Sequence, residues 1–402
     1  MSERSEPEQR VELWFLITAL CIGGAERTLV DLANEVAADG YDVTVWTIFD
    51  SNPLAAELDA AIDVRSLTSS GRVEDGAVVG VTNPLAYVLA PARFLYAAAT
   101  ERPDLVQSFL FFDNLLARLA GVVSPARIVT GVRSVPNDPH TVRAAADRLT
   151  IRLSDRVVSN SRNGATLAID RGASVDDVSV IPNGRHLETY STARPDPVRS
   201  ELDVGEDELV VGTVGRLLER KGHFELVTAW SRVVNLEPNA RLLFVGDGQD
   251  RAAIEAHAEE LGCAGSIEFL GNRGDVPALL AAIDVFAFPS HFEGLPGAVI
   301  EAMAAGLPIV ATPVDGTAEL LDEYRTGLFV PVDAPEPLAW AIYRLLQTPD
   351  LRDRLGASAR DEARQHYTVD SMVSSFEALY RDVLDAAAEC PPQQRVATAT
   401  SQ

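Results

Sequence analysis

The chain has 402 residues, 47% of them hydrophobic, and a formal net charge of −25 at pH 7. Its length is enough for two or three domains with sizeable cores, and its acidity disfavours nucleic acid as a partner. Three cysteines and six histidines show no spacing typical of a disulfide framework or a metal site, which favours a reducing compartment and no bound metal.

Lys221 is the single lysine among 34 basic residues, all the others being arginines. The excess of acids together with the near absence of lysine indicates a surface adapted to high salt, where carboxylates keep a protein hydrated. A GC-rich genome alone would favour arginine over lysine but would not produce the negative charge. We therefore expect a halophilic source, and specifically an archaeon.

The N-terminal segment 1–10 is charged and lacks the apolar core of a signal peptide, which predicts a flexible end. The chain has no run of about 18 uninterrupted apolar residues, the length that a membrane span requires. The closest stretch, 77–99, is interrupted by Asn83, Pro84, Pro91 and Arg93 and predicts a loop and a packed helix. We expect a cytoplasmic protein.

The first predicted unit is a strand, a turn, a helix and a second strand. Apolar runs at 11–18 and 43–48 flank the glycine pair Gly23-Gly24 and an amphipathic segment that ends near residue 38. Glycines at such a turn let the backbone approach a ligand, and the helix N-terminus favours phosphate. The pair does not fit Gly-x-Gly-x-x-Gly, so a dinucleotide fingerprint is absent.

Strands and helices continue to alternate through the first half of the chain, which implies a parallel, doubly wound sheet. The predicted strands are 62–67, 104–110, 128–132, 157–161 and 178–181, and the predicted helices are 85–99, 114–120, 142–153 and 163–171.

Segment 118–162 is basic within an acidic protein, with eight arginines and three acids. Arg148, Arg152 and Arg156 recur at every fourth residue, which predicts one shared helix face. Such a face either pairs with the acidic surface or contacts lipid phosphate and an anionic membrane. The second interpretation offers a lipid-linked acceptor and a peripheral contact with the inner face of the membrane.

A Pro-rich, charged segment at 192–207 predicts a linker, and a second alternation of strands and helices runs from 209–214 to 329–332. Helices at 338–346, 351–366 and 371–387 complete the chain, and the polar tail 389–402 is predicted to be disordered.

The first turn of the second half carries Gly215-Arg216 and, five residues after the arginine, Lys221-Gly222. The two cations lie on either side of a strand end and a helix start. They suit a diphosphate, whose negative charge they would neutralise as it leaves.

Two carboxylates follow the predicted strand 284–289. Glu293 lies in a Gly- and Pro-rich loop, and Glu301 lies about one turn into a helix that begins near Pro296 and ends at Gly306. The amides of Gly294 and Leu295 add hydrogen-bond donors at this helix start. The predicted ligand is rich in hydroxyl groups and partly anionic.

This stretch, with Pro-Ser at 289–290 and Glu-Ala-Met-Ala-Ala-Gly-Leu-Pro-Ile-Val-Ala-Thr at 301–312, resembles the Glu-x7-Glu donor signature of retaining glycosyltransferases of family 4, also called group 1. Three further elements match that family in order along the chain. They are Gly-Gly-Ala-Glu at 23–26, Ile-Pro-Asn-Gly at 181–184 and Gly-Arg-x4-Lys-Gly at 215–222. The resemblance extends over about residues 11–384.

The resemblance implies a GT-B architecture, in which two Rossmann-like domains face a cleft and the last helix crosses back to the first domain. The acceptor domain would be 11–191, the linker 192–207, the donor domain 208–368 and the crossing helix 369–388. The activity would be the retaining, metal-independent transfer of a hexose-type sugar from UDP- or GDP-sugar, without a cofactor.

The resemblance also assigns residues. Arg216 and Lys221 would stabilise the departing diphosphate, and Glu293 would hold the donor sugar with the amides of Gly294 and Leu295. Glu301 would bind the ribose. The turn at Gly215 and the glycines Gly23 and Gly24 would adjoin the donor, and the backbone from Leu270 to Arg273 would lie near the nucleobase.

Several departures from the family bear on the acceptor side. Phe112 stands where relatives carry a histidine, with Asp113 beside it as a polar group or an ordinary first-turn acid. His186 replaces an aspartate after Ile-Pro-Asn-Gly, and Asp315 replaces a glycine.

These observations leave several functions open. The acceptor is either a polyprenyl phosphate-linked glycan, for a cell-surface polysaccharide or protein N-glycosylation, or a small soluble molecule. A non-catalytic nucleotide-sugar-binding protein is the alternative from another class. The absence of an Asp-x-Asp motif in the first half argues against a metal-dependent GT-A enzyme, and nothing marks a nicotinamide site.

Overall fold

The computed structural model describes residues 10–69, 72–74, 77–79, 83–133, 141–205 and 207–389. Most of the predicted flexible N-terminus and of the predicted disordered tail lies outside this part of the chain. The described residues form two compact units. The first contains the chain up to Pro182 and again from Asp370, and the second contains Asn183–Val369.

The first unit is built on a parallel sheet with the strand order β3-β2-β1-β6-β7-β8-β9, and β4 and β5 form a separate antiparallel hairpin that the sequence did not predict. Its strands are β1 (Glu12–Ile17), β2 (Asp42–Phe49), β3 (Asp63–Thr68), β4 (Arg72–Glu74), β5 (Ala77–Val79), β6 (Leu105–Ser108), β7 (Arg127–Val132), β8 (Arg156–Ser159) and β9 (Val178–Val180).

Successive residues of a strand point to opposite faces of the sheet, and helices cover both faces of the first sheet. Trp14 packs with α2 and α3 in one cluster, whereas the neighbouring Phe15 meets Phe109. Gln107 of β6 accepts a hydrogen bond from Tyr380 of the last helix. The helices are α1 (Gly24–Ala38), α2 (Pro84–Glu101), α3 (Phe111–Val123), α4 (Val142–Thr150) and α5 (Arg162–Asp170).

The second unit has a parallel sheet with the strand order β12-β11-β10-β13-β14-β15. Val210 and Val211 of β10 belong to different core clusters, so both faces of this sheet are also covered. The strands are β10 (Leu209–Val214), β11 (Ala240–Val245), β12 (Ile267–Phe269), β13 (Val285–Phe288), β14 (Ile309–Ala311) and β15 (Gly327–Phe329).

The helices α6 to α14 belong to the second unit. They are α6 (Leu187–Ser191), α7 (Asp196–Glu201), α8 (His223–Leu236), α9 (Arg251–Glu260), α10 (Val276–Ala281), α11 (Gly297–Ala305), α12 (Asp315–Leu320), α13 (Pro335–Gln347) and α14 (Pro349–His366). The chain then enters α15 (Val369–Glu389), which from Asp370 onward belongs to the first unit. The predicted GT-B class, with two doubly wound Rossmann-like units, is confirmed.

The second unit begins earlier than predicted. Leu187 of α6 is buried in the core of the second unit, and the Asn183 side chain donates to the carbonyl of Leu295 at 3.0 Å. The predicted linker 192–207 contains the helix α7, whose Val198 is also buried in that unit. Its proline and charge content marked surface exposure rather than the absence of structure.

Candidate functional site

The candidate site of the second unit lies where the strand order of its sheet reverses. Strand β10 has β11 on one side and β13 on the other, and parallel sheets bind ligands beyond the carboxyl ends of such strands. The loop after β10 carries Arg216, and the loop after β13 carries Glu293. The sheet therefore brings together two sequence motifs that are more than seventy residues apart.

Lys221 and Glu293 form a close ion pair in this place. The Lys221 Nζ lies 2.5 Å from Oε1 of Glu293 and 5.6 Å from the centre of the Phe288 ring. Ser290 Oγ, which is fully buried, donates to the same carboxylate oxygen at 2.8 Å. Glu293 is only 8% exposed, so the ammonium offsets the free energy of desolvating its carboxylate.

A close backbone contact explains why Lys221 reaches Glu293. Gly222 has a φ of +72°, and a Cβ at this position would collide with the carbonyl oxygen of Pro289. Only glycine fits both the left-handed conformation and this approach. His291 N–H donates to the carbonyl of Arg220 at 2.9 Å, which joins the two loops on either side of the contact.

Arg216 is half-buried, and within the described part of the chain its guanidinium has no hydrogen-bond or ion-pair partner. Its backbone carbonyl lies 3.1 Å from Nε2 of His223. Burial lowers the pKa of His223 to about 4, so the imidazole is neutral at pH 7 and its Nε2–H donates to Arg216. His223 is thus a positioning residue of the Arg216 loop, which sequence reasoning missed.

The amides of Gly294 and Leu295 have no acceptor among the described residues. The loop is held in place by Gly316 at the start of α12, where a Cβ would collide with the Gly294 carbonyl oxygen. These two N–H groups and Oε2 of Glu293 are available for the hydroxyl groups of a ligand.

Glu301 lies on α11 and is paired with Arg185, a residue that the sequence did not single out. Arg185 Nε lies 3.2 Å from Oε1 of Glu301, and Arg185 is only 4% exposed. Its backbone bonds to Tyr367 and Val369, so it ties Glu301 to both ends of the second unit. An arginine directly after the Asn-Gly turn was the signal that could have found it.

Arg273 is occupied by carboxylates. Its guanidinium forms two bonds with Glu201, at 2.7 and 3.0 Å, and two with Asp275, at 2.8 and 2.7 Å. These bonds raise the pKa of Arg273 well above its ordinary value. Leu270 directly follows β12 and donates its N–H to the carbonyl of Phe244 at 2.9 Å. The backbone of this turn is therefore available to a ligand, whereas the Arg273 side chain is not.

In the first unit, the predicted glycine turn precedes the helix α1. Gly23 is the N-cap residue, and a Cβ on it would collide with the carboxylate of Glu26, which folds back over the helix start. A Cβ on Gly24 would meet nothing within 4 Å. The helix N-terminus is thus open at Gly24, and an acidic side chain lies beside it.

Asp113 lies in the first turn of α3 and is completely buried. Its Oδ1 accepts a hydrogen bond from Thr18 Oγ1 at 2.8 Å, and its Oδ2 has no hydrogen-bond partner among the residues that the structure describes. Burial raises the pKa of Asp113 to about 8, so this carboxyl group is largely protonated at neutral pH.

The prediction that Arg148, Arg152 and Arg156 share a helix face is wrong. The helix α4 ends at Thr150, a 3-10 turn (Ile151–Leu153) follows, and Arg156 begins β8. Arg156 bonds to Asp177 at 3.0 Å, whereas Arg148 and Arg152 are exposed. The four-residue spacing does not apply beyond the helix end.

Other arginines of segment 118–162 serve the interior. Arg118 is fully buried and bonds to Asp147 at 2.8 Å. Arg127 is also buried and bonds to Asp155 at 2.7 Å. Part of the positive charge of the segment is therefore used for pairs in the interior of the first unit.

A histidine and two acids outside these motifs also meet in the second unit. The ligand atoms of Glu225, His291 and Asp333 all lie within 4.8 Å of one another. His291 Nε2 is 3.4 Å from Glu225 and 3.2 Å from Asp333. Each of the three side chains could supply one ligand atom to a metal ion.

Two family models match the two halves of the chain. Residues 22–189 match Glycosyltransferase Family 4, and residues 196–362 match Glycosyl transferases group 1. The lipopolysaccharide core biosynthesis glycosyltransferase LpsE of Rhizobium meliloti is 26% identical, over 88% of this chain and 94% of its own length. A D-inositol 3-phosphate glycosyltransferase of Gordonia bronchialis is 27% identical, over 88% of this chain and 83% of its own.

Solved structures show the same fold. Anabaena HepE in complex with UDP-glucose superposes with a TM-score of 0.80 at 22% identity, covering 93% of this chain and all of its own. Sucrose-phosphate synthase of Thermosynechococcus elongatus also has a TM-score of 0.80, at 21% identity over 94% of this chain and 100% of its own. In the described residues, no helix is both long and apolar enough to span a membrane.

Proposed function

The chain belongs to the GT-B glycosyltransferases of group 1, and on this premise we propose that it transfers a hexose-type sugar, with retention, from UDP- or GDP-sugar to a glycan or lipid-linked acceptor. The observation that carries this proposal is the pair of cations at the switch point of the second sheet. Arg216 has no protein partner in the described chain, and Lys221 is already placed beside Glu293.

The diphosphate is the ligand that these cations suit best. A guanidinium binds phosphate through two parallel hydrogen bonds, and the Lys221 ammonium has donors left beyond the one directed at Glu293. Before the ligand arrives, His223 holds the backbone of the loop at Arg216, and Glu293 holds the Lys221 ammonium. Preorganised charges of this kind stabilise a departing anion most effectively.

The sugar and the ribose would each meet a carboxylate. Oε2 of Glu293 and the amides of Gly294 and Leu295 would hold hydroxyl groups of the transferred sugar. Glu301 would bind the ribose through Oε2, because Arg185 already takes its Oε1. The backbone at Leu270 to Arg273 would contact the nucleobase. In the first unit, the start of α1 after Gly23, which is open at Gly24, would offer a helix N-terminus to a phosphate.

The proposed reaction needs neither a metal nor a protein nucleophile. The bond between the sugar anomeric carbon and the diphosphate oxygen breaks, and the acceptor hydroxyl forms its new bond on the same face. The acceptor proton passes to the departing phosphate oxygen. Arg216 and Lys221 supply the positive charge that a metal ion would otherwise provide.

A lipid-linked acceptor agrees with one relative, which is named for lipopolysaccharide core biosynthesis. A small soluble acceptor is the second candidate, since another relative is named for D-inositol 3-phosphate. The chain would then act in the cytoplasm, with peripheral contact to the inner membrane face in the lipid case.

The test is a donor screen in molar KCl. The protein is incubated with UDP-, GDP- or ADP-sugars and a lipid extract, and the release of nucleoside diphosphate is followed. Release that depends on the extract and on one donor is expected. Donor binding without release under any extract would instead favour a non-catalytic nucleotide-sugar-binding protein.

A further inference from the structure

Three side chains of the second unit, Glu225, His291 and Asp333, converge from separate segments. Glu225 lies in the first turn of α8, His291 lies in the loop after β13, and Asp333 lies between β15 and α13. One ligand atom of each side chain lies within 4.8 Å of those of the other two. The fold therefore creates this cluster, and no spacing within a single segment of the sequence indicates it.

The separations in the cluster fit a single metal ion. His291 Nε2 lies 3.4 Å from Oε1 of Glu225 and 3.2 Å from Oδ1 of Asp333. A zinc ion binds nitrogen and carboxylate oxygen at about 2.1 Å, so two neighbouring ligand atoms of a tetrahedral site lie roughly 3.4 Å apart. The histidine nitrogen is thus already at the required distance from both acids.

Two buried atoms of the cluster lack a hydrogen-bond partner. They are Nε2 of His291 and Oε2 of Glu225, and no described residue bonds to either of them. A buried polar atom without a partner costs free energy, and an ordered ion is one of the few ways to satisfy it. With its proton on Nδ1, the neutral imidazole would present the lone pair of Nε2 to such an ion.

The two carboxylates of the cluster also lack a basic partner. Within the described part of the chain, neither Glu225 nor Asp333 forms an ion pair with an arginine or a lysine. Two carboxylates at this separation repel each other. A divalent cation bound between them would replace that repulsion with attraction.

We propose that Glu225, His291 and Asp333 bind a divalent transition-metal ion, with Zn²⁺ as the ion that fits best. An imidazole nitrogen favours Zn²⁺ over Mg²⁺ and Ca²⁺, which prefer oxygen ligands alone. Three protein ligands leave one position of a tetrahedral site for water. The Asp333 side chain is 71% exposed, so solvent reaches that position.

The ion would join segments that also carry the proposed diphosphate site. The His291 N–H donates to the carbonyl of Arg220 at 2.9 Å, and Arg220 directly precedes Lys221. An ion on His291 and Glu225 therefore fastens the loop of Glu293 to the start of α8. Its role is structural and it takes no part in sugar transfer, so the inference does not rest on the proposed function.

The test is isothermal titration of the chelator-treated, tag-free full chain with Zn²⁺, in KCl at which circular dichroism shows it to be folded. One Zn²⁺ per chain is expected to bind, and Mg²⁺ is expected not to compete. Because the folded chain alone presents the three ligands together, Zn²⁺ should also raise the melting temperature.

Variants of each ligand test the assignment. Glu225→Gln, His291→Ala and Asp333→Asn should each weaken Zn²⁺ binding by at least about tenfold, since even the loss of a group that only orients a ligand costs that much. Asp333 is exposed, so its variant is expected to fold even if the other two do not. His291→Ala retains the backbone N–H that bonds to Arg220.

Matched controls separate the cluster from general binding to an acidic protein. His366 lies 3.5 Å from Glu362 on α14, and His366→Ala removes a histidine that is paired with an acid elsewhere in the unit. Asp353→Asn removes an exposed carboxylate of the same helix. Both variants should bind Zn²⁺ like the wild type.

Three results would overturn the proposal. They are the absence of saturable Zn²⁺ binding, wild-type affinity in the folded variants of all three ligands, and a loss of binding in His366→Ala equal to that in His291→Ala. Donor and acceptor are absent from these measurements. A failure to bind Zn²⁺ would therefore remove the metal site alone, whereas a failure to transfer sugar would contradict only the proposed function.

Discussion

The ammonium nitrogen of Lys221 lies 2.5 Å from Oε1 of Glu293, so the single lysine of the chain is paired with the first acid of the Glu-x7-Glu motif. The pair is formed by two loops at the switch point of the second sheet. It places a cation for a diphosphate next to an acceptor of sugar hydroxyl groups. Each partner also offsets part of the free energy of desolvating the other.

The pair predicts a specific pattern of stability. Lys221→Ala leaves the buried Glu293 carboxylate with Ser290 as its remaining partner, so the free energy of unfolding should fall by roughly 1–3 kcal/mol. The double variant Lys221→Ala with Glu293→Gln should recover part of that loss, because no unpaired charge remains. Chemical denaturation of the three proteins measures both effects. Additive losses would contradict the coupling.

Arg185 lies outside the sequence motifs, but its contact with Glu301 predicts that it affects donor binding. Arg185→Met removes the cation from Glu301 and leaves its carboxylate half-buried and unpaired, so stability should fall by about 3 kcal/mol. The KM for the donor should change more than kcat, since the ribose does not react. Steady-state kinetics test this, with Arg199→Met as a control that removes another half-buried arginine of the unit. An unchanged KM for the donor in Arg185→Met would show that Arg185 has no part in binding the ribose.

The pKa of Asp113, which burial raises to about 8, predicts a dependence of stability on pH. Between pH 4 and pH 8 the unfolded carboxyl group loses its proton while the folded one keeps it, so stability falls as the pH rises. Asp113→Asn cannot titrate and keeps an acceptor for Thr18. The free energy of unfolding of Asp113→Asn should equal that of the wild type near pH 4 and exceed it by a few kcal/mol at pH 8.

Thermal unfolding across that pH range measures the Asp113 effect. Asp353→Asn, at an exposed position of α14, is the matched control and should show no growing gain. A constant difference between Asp113→Asn and the wild type at all pH values would show that Asp113 is charged in the folded protein.

The charge of −25 predicts a requirement for salt. In dilute buffer the surface carboxylates repel one another over about 30 Å, whereas in molar salt the range falls to about 3 Å. The protein should therefore lose its fold and activity as KCl is removed by dialysis and regain them on its return. Circular dichroism and donor turnover in dilute buffer check this. Full activity there would contradict adaptation to high salt.

Much of this structure follows from local sequence patterns. The alternating apolar runs predicted the strands of the first sheet and, for the second unit, an alternation of strands and helices. The position of Glu293 after a buried strand predicted a loop at the carboxyl edge. Two predictions failed for different reasons. Spacing alone does not show where a helix ends, and a high content of proline and charge indicates surface exposure rather than a lack of structure. Arg156 lies on β8 and not on α4, and α7 lies within the predicted linker.

The partners of the site residues required the tertiary structure. Arg185 and Glu301 are 116 positions apart, and nothing in either local segment indicates the pair. His223 was visible beside Gly222, but its burial and its bond to Arg216 depend on the packing of α8.

The most direct measurement compares donor turnover for Arg216→Ala and Lys221→Ala with that for Arg220→Ala, using the donor and acceptor found in the screen. Arg220 is an exposed arginine next to Lys221. The Arg220→Ala variant therefore tests whether the loss of any positive charge from this loop lowers turnover. The account predicts that kcat falls about 10²–10³-fold in the first two variants and stays within about twofold in the third, with all three folded. Wild-type turnover in Arg216→Ala and Lys221→Ala, or an equal loss in Arg220→Ala, would contradict the proposed diphosphate site.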